Sequence, residues 1–276
     1  MRISLSAVCG VAAFAMGVAA VFAQWPSYPT DGPRTPDGKI DLSAPAPRTA
    51  DGKPDFTGIW SRAGGQGLAK NKQAPPPPPP ADGPPVATFG NIGANFKEGL
   101  PIQPWAAEVL AKRKADNSKD NPDAHCLPMG LMQFHEHGQP RKIIQTPKEV
   151  VIIYEANHGL RQIYLDGRTL PGNDPDPWWF GYSIGHWEGD TLVVETTGYR
   201  DDVWLDVQGT PMTSAAKTIE RFRRPNFGTL QIDVTIDDPK AYTKPFTVRV
   251  NQRLSPDAEM MEFICQDRDA PHYVGK

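Results

Sequence analysis

Residue types suited to acid–base chemistry gather in the second half of the chain, around His186. Tyr182, Ile184 and His186 alternate along one extended segment, so they share one face of a predicted strand. A histidine beside a carboxylate can move a proton near neutral pH, and an arginine can hold a carboxylate or enolate oxygen. If this face points inward, the candidate catalytic residues are His186, Tyr182, Arg161, Asp166, Glu195 and Arg221. If it points outward, the same groups form a structural network or decorate the surface.

A serine motif overlaps this segment. Gly181–Gly185 matches G-x-S-x-G, with Ser183 at its centre and His186 next to it. A nucleophile elbow needs a strand, a sharp turn and then a helix, so that the serine stands above the sheet. Here a hairpin signal, Trp187–Thr191, and another β-type run follow. The pattern therefore favours a strand with small residues over a serine hydrolase.

Possible metal ligands occur in two places. His135 and His137 lie two residues apart and would share a face of an extended chain, but no Cys-x-x-Cys or HExxH pattern accompanies them. The other residues considered are His125 and Cys126 beside this pair, and Asp166, Asp174 and Asp176, which lack the spacing of a calcium loop. The sequence therefore predicts no metal site, and it calls for no cofactor.

The sequence after Cys126 has the composition and turn spacing of a β-rich domain. Short runs rich in valine, isoleucine and aromatics are separated by turn signals every eight to twelve residues. A long meander must hide its edges, and closure into a barrel does so, with a β-sandwich as the competing fold. The predicted strands are Lys142–Gln145, Val150–Ala156, Leu160–Asp166, Gly181–Trp187, Thr191–Thr197, Thr218–Arg224, Leu230–Ile236, Phe246–Arg253 and Met260–Cys265.

The start of the chain predicts export. Arg2 precedes an apolar run from Val8 to Phe22, and Val21–Ala23 fits a cleavage site that leaves Gln24 as the mature start. The run is shorter than the ~20 residues that a spanning helix needs, so we expect a cleaved signal peptide over residues 1–23. No stable membrane span is expected after cleavage, and the predicted location is the periplasm or the medium.

Residues 24–123 read as a mostly irregular, proline-rich arm ahead of a barrel domain at 124–276. Pro75–Pro80 predicts a stiff polyproline II spacer, and Trp105–Lys114 predicts one short helix. The arm contains an internal echo, Asp37–Leu42 followed by Asp51–Phe56. The second copy runs into an apolar segment that we expect to dock on the domain.

The charge of the chain indicates which partners to expect, and its cysteines indicate whether a disulfide forms. The formal net charge is -3, with no basic block, so a nucleic-acid partner is not expected. Cys9 leaves with the signal, so Cys126 and Cys265 remain as an even pair, which in an exported protein favours a disulfide. Such a bridge would tie the start of the β-rich region to its last predicted strand.

Three segments resemble signatures of a family of exported bacterial β-rich proteins. Gly181–Thr196, GYSIGHWEGDTLVVET, resembles the longest of them. Pro54–Trp60, PDFTGIW, and Ile163–Arg168, IYLDGR, resemble two others. The resemblance implies a lipocalin-like β-barrel and export, and it brings no catalytic assignment with it.

Three functions are consistent with these features. The first is an exported barrel that binds an apolar or aromatic small molecule in its cavity, with Tyr164, Trp187 and Trp179 as candidate ligand-binding residues. The alternative is a cofactor-independent isomerase, lyase or hydratase using acid–base residues around His186. A third is an interaction protein of the envelope, which predicts a filled barrel and an exposed apolar patch.

Overall fold

Nine strands form a closed barrel in the computed structural model, which describes residues 29–63, 83–172 and 176–265. The strands are β1 (Gly58–Arg62), β2 (Arg141–Gln145), β3 (Glu149–Tyr154), β4 (Leu160–Tyr164), β5 (Tyr182–Glu188), β6 (Thr191–Thr197), β7 (Lys217–Asn226), β8 (Thr229–Asp237) and β9 (Phe246–Leu254). Two α-helices accompany them, α1 (Pro104–Ala115) and α2 (Leu131–Glu136). The predicted mainly β, lipocalin-like barrel is confirmed, and α1 confirms the predicted helix.

Neighbouring strands are antiparallel with one exception, the parallel pair β4–β5. Strand β1 closes the barrel by pairing with both β2 and β9. It lies within the segment predicted as arm, so the barrel begins before residue 124. Trp60 explains why this segment joins the sheet, because its ring is fully buried and its indole N–H donates to the Phe56 carbonyl at 2.9 Å.

The prediction of a final strand at Met260–Cys265 is wrong. This segment is irregular, and Met261 and Ile264 are exposed. Because β1 already occupies the free edge of β9, no edge in the barrel remains for a strand from the tail. The tail is held instead by individual contacts with the rest of the protein. One is the Met261 N–H, which donates to a Glu155 carboxylate oxygen at 2.9 Å.

Alternating side chains build the core as predicted for β8. Leu230, Ile232, Val234 and Ile236 are buried, and they face inward with the alternate residues of β7 and β9. Helix α2 adds to this core, since all its residues are buried and it contacts inward-facing side chains of β2, β3, β7 and β9. The barrel interior is therefore filled by side chains and a helix.

The two echoed segments of the arm, each taken with the residues that precede it (34–42 and 48–56), fold alike and brace two hairpin turns of the barrel. In the first, Thr35 N–H donates to Lys39 O at 2.8 Å, and in the second Thr49 N–H donates to Lys53 O at 2.9 Å. The first copy contacts the β7–β8 turn, where Gly228 N–H donates to the Leu42 carbonyl at 2.8 Å. The second pairs with the β5–β6 turn through its arginine, Arg48, which contacts Asp190 at 2.6 Å.

Cys126 and Cys265 form the predicted disulfide, with a Cα–Cα distance of 5.6 Å. The bridge joins the loop before α2 to the irregular tail after β9, rather than to a strand. Among the described residues, no helix combines the length and apolarity needed to cross a bilayer. The predicted signal peptide, the polyproline run and Asp174 lie outside the described residues.

Removing the disulfide should destabilise the barrel. The bridge spans 139 residues of sequence, and a closure of this length contributes about 5 kcal/mol in the chain-entropy model and less in practice. We expect the double variant Cys126→Ser/Cys265→Ser to lower the free energy of unfolding by about 2–4 kcal/mol in urea denaturation. Wild-type protein held in reductant is the control and should match the variant. An unchanged urea midpoint in both would contradict the expectation.

Candidate functional site

A buried polar network crosses the barrel interior and starts from Arg161 of β4. Its guanidinium pairs with Glu220 of β7, donating from Nη1 to Oε1 at 3.0 Å and from Nη2 to Oε2. The same Nη2 donates to Ser183 of β5 at 3.1 Å and to Thr196 of β6 at 3.2 Å. Each partner lies on an inward-facing position of its strand. One arginine therefore joins four consecutive strands.

Helix α2 completes the network with His135. Its Nε2 lies 2.8 Å from Glu220 Oε1, and both side chains are fully buried. The His135 Nδ1 has no hydrogen-bond partner among the described residues, which fits a neutral ring that donates from Nε2. The interior thus holds a histidine, a carboxylate and an arginine in direct contact.

Burial and the contacts within the network determine the protonation states of Glu220 and His135. Burial alone would raise the pKa of Glu220, but the Arg161 charge and the His135 hydrogen bond outweigh it and bring that pKa to about 2. Burial lowers the pKa of His135 below its usual range, against the opposing effect of Glu220. At neutral pH the carboxylate and guanidinium are therefore ionised and the imidazole is neutral. A charged pair so buried is stable only because each charge meets the other and several hydrogen bonds.

A cleft opens where β4 and β5 separate. The two strands pair only at Ile163–Ser183 and Tyr164–Ile184. In the connection before β5, Trp178 forms a parallel bridge with Tyr199, beyond β6, and its carbonyl accepts from Arg200 N–H at 3.1 Å. The gap between this segment and the start of β4 has a volume of about 320 Å³.

Two glycines of the G-x-S-x-G pattern make this geometry possible. Gly181 has a φ of +67°, and a Cβ there would lie 2.5 Å from the Thr196 side chain. Gly185 faces inward, and a Cβ there would lie 2.8 Å from Leu165. Ser183 is buried within a strand, not raised on a turn before a helix. The pattern therefore serves chain packing at the cleft, as the strand interpretation predicted.

Aromatic rings line most of the cleft. Trp178 stands at its mouth with 48 % of its surface exposed, and its ring meets that of Tyr182 edge-on at 6.0 Å. Tyr164 lies 5.4 Å from the Tyr182 ring. Phe180 forms the inner wall, stacked on the buried ring of Tyr154 at 5.9 Å. The lining residues are Leu160, Arg161, Gln162, Tyr164, Pro177, Trp178, Trp179, Phe180, Gly181, Tyr182 and Ser183.

An arginine fixes the outer rings beside the cleft. Arg168 lies over the Tyr164 ring at 3.7 Å and donates to the Tyr182 hydroxyl at 3.1 Å. Asp166 holds the same guanidinium at 2.6 Å. Asp166 and Tyr182, predicted as catalytic, thus take part in an exposed cluster that orients aromatic rings.

The remaining predicted catalytic residues lie outside the barrel. The His186 side chain is 54 % exposed, and its Nε2 lies 3.4 Å from Glu188. Arg221 pairs with the same Glu188 at 2.5 Å, which contributes most to lowering the pKa of that carboxyl. Glu195 lies on the outer face, between Ile184 and Ile219 of the neighbouring strands. The structure therefore divides the predicted set, with Arg161 inside and His186, Arg221 and Glu195 outside.

Two of the predicted ligand-binding residues lie at the cleft and one does not. Tyr164 and Trp179 line it. Trp187 instead stacks on the buried ring of Phe56 at 5.6 Å, at the end of the barrel that the arm covers. Its position follows from strand alternation, because Trp187 shares the inward face with Ser183 and Gly185.

Three of the residues considered as metal ligands are engaged by other groups. Cys126 is in the disulfide, His135 contacts Glu220, and His137 meets the Phe89 ring edge-on at 5.1 Å. Nowhere in residues 29–63, 83–172 and 176–265 do three His, Cys, Asp or Glu side chains form a group that could hold a metal ion.

The sequence interpretation missed the inward role of His135 and the cleft position of Phe180, whereas it named Trp178 among the aromatics that could line a cavity or fill the core. Glu220 alternates with Thr218 and Phe222 in β7, a pattern that places it on the same face as these residues. His135 carried no such signal, because α2 has only six residues and lacks helical periodicity. Trp178–Phe180 lie in a connection, where period gives no orientation.

Comparisons with family models, curated proteins and solved structures yield no match for this chain. The fold and the site therefore define the protein by themselves. It is a closed β-barrel with a filled interior, an internal ion pair and an aromatic cleft beside β4 and β5.

Breaking the internal ion pair should strongly destabilise the fold. Glu220→Gln keeps the shape but leaves the buried Arg161 charge without its counter-ion, so we expect a loss of about 3–5 kcal/mol in urea denaturation. The matched control is Glu188→Gln, which removes the same charge from an exposed pair and should change stability by less than about 1 kcal/mol. Equal effects of the two substitutions would show that the internal pair is not a major support.

Glu136, the last residue of α2, adds a pH dependence of opposite sign to that of Glu220. Glu136 is 4 % exposed, and Nη1 of Arg62 lies 3.8 Å from its carboxyl oxygen. Burial raises the pKa of Glu136 to about 8 from 4.5. The folded protein then keeps a proton that the unfolded chain loses, so this residue lowers stability as the pH rises from about 4.5 to about 8.

The variant Glu136→Gln should remove that loss. We expect it to unfold at nearly the wild-type urea concentration at pH 4.5, and to exceed wild-type stability by a few kcal/mol at pH 8. Comparing the two proteins at each pH cancels the contributions of other titrating groups. A difference that stays constant between these pH values would show that Glu136 ionises normally.

Proposed function

We propose that this protein binds an apolar or aromatic small molecule in the cleft between β4 and β5. The observation that carries the proposal is the aromatic wall of this cleft, with Trp178 half-exposed at its mouth. Ligand sites are concave, mostly apolar and about 300–1,000 Å³ in volume, and the cleft is at the small end of this range.

The cleft is pre-formed, which favours binding. Tyr164 and Tyr182 are held by Arg168, and Phe180 is held by the buried rings of Phe134 and Tyr154. Because these rings are already ordered, a ligand need not immobilise them, and less of the binding free energy is lost. Flat rings in edge and stacked orientations suit another flat ring.

The proposal locates the ligand beside the barrel and not in its interior. The inward-facing side chains and α2 form one buried core, so the space that a lipocalin-like carrier would use is occupied. The cleft is the place where an inner and an outer surface of the barrel meet, with Ser183 at its inner end and Trp178 outside.

We also propose that the protein acts in the periplasm or the medium. The predicted signal peptide and the Cys126–Cys265 disulfide both support export, because structural disulfides persist in oxidising compartments.

The enzyme alternative has less support from this geometry. An acid–base residue must reach a proton on its substrate. His135 and Arg161 both contact Glu220, but all three side chains are buried, and these contacts use the groups that would act. His186 is accessible, but it lies on the open outer face and does not line the β4–β5 cleft. A binding function, in contrast, requires no reactive side chain, only a cleft that a ligand can enter.

Removing the Trp178 ring should weaken ligand binding without unfolding the protein. The probe is N-phenyl-1-naphthylamine, a neutral aromatic dye that fluoresces when it leaves water. We expect the mature wild-type protein to bind it, and Trp178→Ala to weaken binding by about tenfold, because one wall of the site is lost.

Trp105→Ala is the matched control. Trp105 is also a half-exposed tryptophan, at 44 %, but it lies on α1 against Lys240, away from this cleft. It should leave the dye affinity within a factor of about two. Equal binding by wild type and Trp178→Ala, or no binding by wild type, would refute the proposed site.

A further inference from the structure

A second cleft adjoins the first and shares one of its walls. It lies between α1 and the turn around His125, with a volume of about 460 Å³. Trp179 lines both clefts, so a ligand in contact with this residue borders both spaces. Trp204 lines the far side. A ligand seated against Trp179 therefore has a second compartment within reach.

The second cleft differs from the first in its charged groups. Its basic residues are Lys112, Arg113 and His125, and its acidic residues are Asp116, Asp120 and Asp202. Two of the three acids are already engaged by cations that do not line the cleft. Asp120 pairs with Lys119 at 2.9 Å, and Asp202 pairs with Arg200 at 2.9 Å. The basic groups of the cleft are therefore only partly balanced.

Arg113 is the best-placed of these cations. Its guanidinium lies over the Trp204 ring at 4.3 Å, and Nη1 donates to the Gly209 carbonyl at 2.8 Å. These contacts hold the group half-buried in one orientation. Within the described parts of the chain, no carboxylate makes an ion pair with it, and Asp120 and Asp206 act only as more distant charges.

The positive charge of Arg113 is only partly compensated by its surroundings. Burial lowers the pKa of Arg113, which means that its charge has lost part of its hydration. Arginines that lose water in proteins regularly gain a carboxylate, sulfonate or phosphate partner, and the planar fork of donors suits these groups. The other stacked arginines near the clefts already have such a partner, since Arg168 pairs with Asp166 and Arg200 with Asp202.

We propose that the second cleft binds an anionic group of the ligand, through Arg113, while the aromatic part of the same ligand occupies the β4–β5 cleft. The ligand class is then an aromatic molecule that carries a carboxylate or another oxyanion. This inference rests on the proposed binding function and adds the charge of the ligand to it.

Two dyes that differ by one charged group test the inference on the mature, full-length protein. N-phenyl-1-naphthylamine is neutral, and 8-anilinonaphthalene-1-sulfonate is the same ring system with a sulfonate. We expect the wild-type protein to bind the sulfonate dye about tenfold more tightly, because of one charge-assisted contact. Arg113→Gln should abolish this preference and leave the affinity for the neutral dye within a factor of about two.

Two further variants separate a specific contact from general charge. Lys114 carries a positive charge on the same helix but does not line the cleft. We therefore expect Lys114→Gln to keep the preference for the sulfonate dye. Arg113→Lys keeps the charge and should retain part of the preference. Binding of the neutral dye by every variant also reports that each is folded.

The possible outcomes distinguish this inference from the function on which it rests. If wild type binds both dyes equally, or if Arg113→Gln and Lys114→Gln reduce the preference equally, the anionic subsite is overturned and the aromatic cleft stands. If Arg113→Gln weakens both dyes to the same extent, Arg113 only supports the fold, and the subsite is again overturned. If wild type binds neither dye, the proposed function and the subsite both fail.

Discussion

The ion pair between Arg161 and Glu220 constrains much of the surrounding structure. A charge buried in a protein interior is tolerated only when it is paired and hydrogen-bonded, so these two side chains must meet. Arg161 reaches Glu220, Ser183 and Thr196 from three neighbouring strands, and His135 brings α2 to the same carboxylate. A slip of one residue in β7 would turn Glu220 outward and leave Arg161 alone. The pair thus fixes register across β4–β7 and the position of the helix inside the barrel.

The same contacts help to explain why the cleft exists. Ser183 must face Arg161, so β5 is held at Ile163 and Tyr164 of β4 by a short parallel pairing. A parallel neighbour needs a long connection, and this one returns along the end of β6 before β5 begins. The connection cannot also follow β4, and the space left between them becomes the cleft. Gly181 permits the bend because its positive φ and missing side chain fit against Thr196.

Much of the barrel could be predicted from sequence, but the orientation of its side chains could not. Short β-type runs between turn signals located eight of the nine strands, and alternation indicated the buried face of β8. It did not reveal which face of β5 was inward, so His186 and Ser183 were equally good candidates for the interior. Arg161, which is charged, was on the inward face, while the histidine was not. Helix α2 was missed because six residues are too few for a periodic signal, and β1 was missed because its short apolar segment follows a turn-rich arm and was interpreted as the docking end of that arm.

Arginine–aromatic stacking gives the clefts both rigidity and polarity. Arg168 covers Tyr164, Arg200 covers Trp179 and Arg113 covers Trp204, each within 5 Å of the ring centre, at 3.7, 4.7 and 4.3 Å. A guanidinium over a ring restrains both side chains, so the walls keep their shape without a ligand. Arg168 and Arg200 are neutralised by neighbouring aspartates, which leaves the aromatic cleft between them without a strong charge. Arg113 has no such aspartate ion pair among the described residues, so the arginine that lines the second cleft differs from the two aspartate-paired ones.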